Sequence, residues 1–109
     1  MKANPGQLDQ RVDIERSVFT DDGMGGKAET VSVVASVWAL VSPALGEEKL
    51  LAGRVDSTAL YRFTIRSRVD LYETDRIIWG GQRYNIRYLP RTGPRDLYLN
   101  VIAERGVAQ

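Results

Sequence analysis

Two pairs of adjacent carboxylates are the residues of this chain best suited to acid-base chemistry. They are Asp21 and Asp22, inside "TDDGMGGKAE", and Glu47 and Glu48, inside "VSPALGEEKLLAGRVD". Glu47 and Glu48 would diverge by about 100° on a helix and point to opposite faces on a strand. Asp21 and Asp22 lie in a glycine-rich turn, where two carboxylates are difficult to hold in a catalytic geometry. Neither pair predicts a catalytic dyad.

The chain also lacks the side chains on which most enzyme mechanisms depend. Its 109 residues include no histidine and no cysteine, which removes disulfides, thiolate metal sites, cysteine nucleophiles and the commonest general base. Lys27 is followed by alanine and not by Ser or Thr, so the glycine-rich turn does not match a phosphate-binding loop, and its acidic spacing does not match an EF-hand. We expect no catalytic residue, no metal site and no cofactor.

The composition predicts one soluble globular domain with a balanced charge. The formal net charge is +1, and of the fifteen cations all but Lys2, Lys27 and Lys49 are arginines. Arginine favours interfaces and phosphate contacts, although high genomic G+C content would produce the same bias. No apolar run approaches the roughly 20 residues of a membrane span, and "MKANPGQLDQ" lacks the apolar core of a secretory signal. We therefore expect a chain made in a cytoplasm, with no membrane partner.

Alternation of apolar and polar residues predicts two strands in the first half of the chain. The first covers Gln10 to Phe19, where Val12 and Ile14 alternate with charged residues. The second covers Thr30 to Ser42 and is apolar on both faces near Trp38, as in a strand that is central or covered by a neighbour. The turn between them predicts a flexible hairpin tip. The tip residues are Asp21, Asp22, Gly23, Gly25 and Gly26.

The second half of the chain predicts four more strands. One lies within Ser57 to Arg68, with an apolar face and a face of cations, and two more, Arg76 to Trp79 and Gln82 to Leu89, flank a Gly-Gly hairpin signal. The last lies in "RDLYLNVIAER". Four of its apolar residues are expected on one side: Leu97, Leu99, Val101 and Ala103.

These elements predict an all-β fold, a small barrel or sandwich of about six strands in one domain spanning residues 1–109. Between the second and third strands, residues 42–56 do not alternate, so we expect a loop or short-helix insertion there. The ends, residues 1–8 and 106–109, are expected to be flexible.

The arginine-rich strands predict an interaction surface. Arginine and aromatic residues are enriched at protein interfaces, and the candidate subunit or partner interface comprises Trp38, Leu40, Arg62, Arg66, Arg68, Arg83 and Arg87. The alternative is a monomeric nucleic-acid-binding module that uses the Arg62 to Arg87 face, with Tyr84 and Tyr88 stacking on bases. A competing interpretation places both tyrosines in the core and the arginines in water or beside acids. The nearly equal number of acids, 14 against 15 cations, favours that interpretation.

The order of these segments resembles one protein family. From Asn4 to Arg105 the chain presents in turn "NPGQLDQRVDIER", "DDGMGG", "VASVWALVSPALGEE", "RFTIRSR", "RIIWGGQRYNIRYL" and "RDLYLNVIAER". This succession resembles the phage head-tail joining family, also called head closure, stopper or head-tail adaptor proteins. The resemblance implies a structural protein of the virion, not an enzyme.

The resemblance further implies a β-barrel assembled as a homo-oligomeric ring of six or twelve copies in a tailed phage or a gene transfer agent. The ring would close the DNA-filled head, dock the tail and let double-stranded DNA pass without sequence preference. An adaptor or portal protein would lie on the head side, and a tail terminator or completion protein on the tail side. We expect the protein at the head-tail interface of the virion, after assembly in the bacterial cytoplasm.

The resemblance also implies that the insertion is a plug that gates the DNA channel. Gly46 and Gly53 would act as hinges or would only cap a short helix. An extended insertion would reach about 25 Å and a helical one about 10 Å. The segment points inward over the DNA or lies flat against a neighbouring subunit, and we expect it to point inward. Its residues are Leu45, Gly46, Glu47, Glu48, Lys49, Leu50, Leu51, Ala52, Gly53 and Arg54.

Overall fold

Six antiparallel strands close into a barrel in the order β1-β2-β3-β6-β5-β4. The computed structural model describes residues 6, 8–53, 59–91, 93 and 95–106. The all-β prediction, with a short helix between the second and third strands, is confirmed. No helix among the described residues is long and apolar enough to span a membrane. The elements are β1 (Gln10–Asp21), β2 (Lys27–Pro43), α1 (Gly46–Leu51), β3 (Leu60–Arg66), β4 (Arg76–Trp79), β5 (Gln82–Tyr88) and β6 (Tyr98–Arg105).

The barrel interior is filled by alternate residues of its strands, as the period of two requires. Phe63 is fully buried at its centre, with ring centroids 5.3 Å from Tyr84 and 6.0 Å from Trp79 in edge-on contacts. Burial of the Tyr84 phenol raises the pKa of Tyr84 above its ordinary value, and the neighbouring Tyr61 adds a smaller effect in the same direction. The other large aliphatic side chains that are fully buried in this core are Val12, Ile14, Ile65, Ile77 and Val101.

A second, smaller core lies outside the barrel beneath the insertion. Ile102 of β6 points away from the interior and packs with Leu60 and Ala44, which leads into α1. One predicted core position is wrong: Leu97 is 74% exposed. It precedes β6, and its backbone carbonyl accepts a hydrogen bond from the backbone of Ser67, so its side chain lies beyond the barrel end.

The β1–β2 hairpin is much longer than the barrel is deep. β4 pairs with β1 only from Asp13 to Glu15, and β3 pairs with β2 only from Leu40 to Pro43. A bulge on β2 leaves Val34 as an extra residue, because Ile14 pairs with Ala35 and Glu15 with Val33. Residues 16–34 therefore leave the barrel as a two-stranded projection, which we call the hairpin arm. The molecule measures 51 × 32 × 26 Å along its principal axes.

The chain ends are described in part. Leu8 is buried, and the backbone N–H of Gly106 donates to the carbonyl of Arg83 at 2.8 Å. The remaining residues of the expected flexible ends lie mostly outside the described ranges. Arg54, the last residue of the predicted plug, also lies outside the described residues, as does the predicted start of the third strand at Ser57.

Candidate interaction surfaces

The hairpin arm exposes apolar side chains that no other described strand covers. Phe19 is 61% exposed and Met24, at the tip, is 90% exposed. Strand alternation continues along the arm, but burial does not, because neither a third strand nor an opposing sheet covers the arm in the described part of the chain. The strand register puts Phe19, Val31 and Val33 on one face of the arm, and neighbouring exposed apolar side chains of this kind mark interaction surfaces. The other exposed apolar residues of the arm are Val18, Val31, Val33 and Val34.

The arm tip is held by the two aspartates that the sequence analysis singled out. The Asp21 carboxylate accepts from the backbone N–H of Gly23 at 2.9 Å, and the Asp22 carboxylate accepts from Met24 at 2.8 Å and from Gly26 at 3.1 Å. Gly23 has φ 80°, in the left-handed region that favours glycine. Both carboxylates thus shape the turn. Across the described residues, no group of three Asp, Glu, His or Cys side chains could hold a metal ion.

A partly buried ion pair fixes the base of the arm. Arg16 donates to Asp75 through Nε at 2.9 Å and Nη2 at 2.8 Å, and its guanidinium lies 3.9 Å from the ring centre of Tyr72. Asp75 is 1% exposed and also accepts from the backbone N–H of Tyr72. The hydrogen bonds to Asp75 raise the pKa of Arg16 above its ordinary value. Sequence reasoning missed this pair, because 59 positions separate its members.

A second surface surrounds Trp38, where β2 leaves β3. Trp38 is 53% exposed, and the Arg11 guanidinium carbon lies 5.1 Å from its ring centre. Arg66 and Arg68, at and just beyond the end of β3, line the same cleft of about 210 Å³. In the described part of the chain, neither of them makes an ion pair or a side-chain hydrogen bond. We call these four residues, Arg11, Trp38, Arg66 and Arg68, the Trp38 patch.

The other predicted interface arginines lie outside the Trp38 patch, and each of them pairs with a carboxylate; Arg83 and Arg87 line a common cleft. Arg62 pairs with Glu48 of α1 at 3.0 Å, Arg83 with Glu15 at 3.1 Å, and Arg87 with Glu104 at 2.9 Å. Each of these guanidinium groups faces a carboxylate on a neighbouring element, which weakens the Arg62 to Arg87 face of the nucleic-acid alternative; that face stays a prediction.

The tyrosines and the leucine of the predicted interaction surface are buried or half-buried in the structure. Tyr84 is buried in the core and cannot stack on a base, and Tyr88 packs against the smaller core. Leu40 is half-buried and pairs with Thr64 of β3.

The insertion forms a short helix that is anchored but largely exposed. Ala44 is buried, Ala52 packs on the smaller core, and Glu48 reaches Arg62. Gly53 follows the helix with φ 71° and donates its N–H to the carbonyl of Leu50, which is the geometry of a glycine that ends a helix. Three leucines stay exposed: Leu45 (67%), Leu50 (68%) and Leu51 (56%).

Comparison with known proteins identifies the family. Residues 3–106 match the model of the phage head completion protein family. The chain belongs to this family. A head completion protein is a structural component of the phage particle and not an enzyme, so the carboxylate pairs have no catalytic role to fill. The resemblance to the head-tail joining proteins is confirmed by this match.

Solved structures agree with the fold of this head completion protein. The solution structure of protein SF1141 from Shigella flexneri 2a is similar with a TM-score of 0.80 and 26% identity, over 98% of this chain and 100% of that one. A chain from the virion of a native gene transfer agent particle is similar with a TM-score of 0.62 and 21% identity, over 93% and 97% of the two chains. No curated protein sequence matches the chain.

Proposed function

We propose that this head completion protein forms a homo-oligomeric ring between the portal or adaptor and the tail, where it closes the DNA-filled head and docks the tail. The observation that carries the proposal is the exposed leucine cluster of the insertion, Leu45, Leu50 and Leu51. Their backbone is anchored on the barrel, yet no described side chain covers them. Exposed leucines in a cluster favour an assembly in which a neighbour covers them or in which they face the channel.

The insertion is the segment that we propose as the gate. In its helical form it is a stub of about 10 Å, which would narrow a channel for duplex DNA but would not close a wide ring. If the insertion swings away from its own barrel, the movement has to break the Glu48–Arg62 pair and lift Ala52 from the smaller core. The Gly53 geometry supports a capping role in the helical form and tolerates the dihedral change that a swing needs.

The gate is tested by replacing its exposed leucines. Leu50→Ser together with Leu51→Ser leaves the buried contacts of Ala44 and Ala52 in place, so the barrel folds. Particles with this variant are expected to lose packaged DNA or to fail to join tails, measured as nuclease-sensitive DNA and as the fraction of tailed heads by electron microscopy. The matched control is Leu97→Ser, which changes an equally exposed leucine outside the insertion. Normal DNA retention and tail joining by the double variant would rule out the gate.

The ring itself is tested by measuring the native mass of the assembly that the full chain forms, and by electron microscopy of the connector in purified particles. A closed ring of six or twelve copies between head and tail supports the proposal. A chain that is absent from the connector, or present there as isolated monomers, contradicts it.

A further inference from the structure

The arm tip and the Trp38 patch are complementary surfaces that cannot meet within one chain. Asp21 pairs with Lys27 at one end of the hairpin, and Arg11 pairs with Trp38 near the other. Asp21 lies ten positions after Arg11 in β1. This separation corresponds to a distance on the order of 33 Å along an extended strand. We infer that the arm tip of one copy docks into the Trp38 patch of the next copy, an inference that rests on the proposed ring.

Charge complementarity supports a second copy as the occupant. The patch presents guanidinium groups, and Arg66 and Arg68 have no anionic partner among the described residues. At the tip, Asp21 and Asp22 use one carboxylate oxygen each for the turn, and Oδ2 of each accepts no hydrogen bond in the described structure. A carboxylate has about four lone-pair sites, so each aspartate can still receive an arginine fork.

The apolar parts of the two surfaces also match. Met24 is the most exposed large apolar side chain that the structure describes, and it stands between Gly23 and Gly25 in the tip. The cleft beside Trp38 has a volume of about 210 Å³, enough for one methionine side chain. A thioether packs favourably against the edge of an aromatic ring. Duplex DNA would satisfy the arginines of this cleft but would leave Trp38 without an apolar partner.

The geometry of such a contact is head to tail. Two different surfaces of one chain make a heterologous interface, which gives a ring when the rotation between copies closes and a filament when it does not. The molecule is 51 Å long but only 32 × 26 Å in its other dimensions. The hairpin arm projects beyond its own barrel, so it can reach a neighbouring one.

Cross-linking tests the contact directly, because the natural chain has no cysteine. In the variant Met24→Cys with Arg66→Cys, a short bis-maleimide is expected to convert rings or particles into a ladder of covalent multimers on a denaturing gel. Neither substitution removes a contact seen in the described structure, so the chain folds. The controls are Met24→Cys alone and Met24→Cys with Arg95→Cys, which uses an exposed arginine outside the patch; both are expected to stay monomeric.

The outcomes separate this inference from the proposed function. Intact rings that stay monomeric on the gel overturn the docking contact and leave the ring standing. A ladder from open filaments, with no ring in the particle, supports the contact and contradicts the ring.

Charge reversal provides a second measurement. Arg66→Glu with Arg68→Glu is expected to weaken self-association of the full chain by at least about tenfold, because like charges then face each other; Arg95→Glu is expected to change it less than about twofold. Adding Met24→Arg in the same chain, which leaves the turn contacts of Asp21 and Asp22 in place, is expected to restore part of the loss. If the patch variant keeps its self-association but loses salt-dependent binding to duplex DNA, the patch binds phosphate and the inference is wrong.

Discussion

The two halves of the β1–β2 hairpin share an alternating sequence pattern, but one half is buried and the other is exposed. In the barrel half, Val12 and Ile14 are buried at 1% and 0% exposure; in the arm half, Phe19 and Val33 are 61% and 55% exposed. Both halves alternate in the manner of a strand, and both are paired along the hairpin. The difference is that β3 and β4 flank only the barrel half. Alternation thus specifies a strand, while burial depends on which neighbours the strand acquires.

This contrast divides the molecule into a scaffold and projections. The barrel core is closed by contacts within one chain, so its side chains should determine the stability of the isolated protein. The hairpin arm and the leucines of α1 leave apolar surface in water, so they should matter in the particle and little in the isolated chain.

The largest expected effect on stability is in the barrel core. Phe63→Ala removes a fully buried ring that contacts Tyr84 and Trp79 and leaves a cavity, with an expected loss of about 3–5 kcal/mol in the free energy of unfolding. Urea denaturation followed by tryptophan fluorescence measures it. The matched control is Phe19→Ala in the arm, and equal losses for the two variants would erase the distinction between the halves.

The next effect concerns the junction between barrel and arm. Asp75→Ala leaves the backbone N–H of Tyr72 without its acceptor, which is expected to cost about 1–3 kcal/mol. It also releases Arg16, so the arm should become more susceptible to proteolysis. Asp70→Ala is the control, because the hydrogen bond from Arg16 to Asp70 goes to the backbone carbonyl and the Asp70 carboxylate adds only a smaller attraction. An unchanged urea midpoint and unchanged arm cleavage for Asp75→Ala would contradict this role.

A smaller change in the free energy of unfolding is expected as the pH rises into the alkaline range. The pKa of Tyr84 is raised in the folded chain, so the unfolded chain releases this proton first, near the ordinary value of about 10. Stability should be fully present below that value and should fall as the pH rises toward the folded pKa. Tyr84→Phe is expected to lose less stability over this range than the natural chain or Tyr98→Phe does. Parallel losses in all three chains, measured by urea midpoints, would remove Tyr84 as the cause.

The smallest effect on stability is expected in the arm itself. Phe19→Ser and Val33→Ser should change the free energy of unfolding by less than about 0.5 kcal/mol, because both side chains are already in water. The same variants should reduce incorporation of the chain into particles, measured by the ratio of this protein to capsid protein. A loss of stability without a loss of incorporation would assign the arm to folding instead of assembly.

Strand positions could be predicted from the sequence because their determinants are local. Gly80 and Gly81 have φ 58° and 78°, as a two-residue hairpin requires, and they mark the β4–β5 turn in the sequence. Contacts between distant segments could not be predicted. Nothing in the sequence indicates that Arg62 faces Glu48 or that Arg16 faces Asp75, since these pairs depend on barrel closure.

The candidate surfaces show the same division. The arginines were identified as candidates by residue type, but their grouping was not, because strand order sends Arg83 to Glu15 and leaves Arg66 beside Trp38. Arg11 lies in that patch because of the register of β1 with β2, which the sequence does not show. The β2 bulge at Val34, which changes the face of every residue beyond it, coincides with the doubled valine that breaks the alternation of "TVSVVASV", a local signal that sequence reasoning missed.

Hydrogen exchange of the free chain and of the chain within purified particles tests the central claim most directly, since it reads the barrel and the projections in one experiment. The account predicts that backbone amides of residues 16–34 and of α1 become at least about tenfold more protected in the particle, while those of the buried strands β3 and β6 change little. Arm and α1 amides that exchange equally fast in both samples would contradict it.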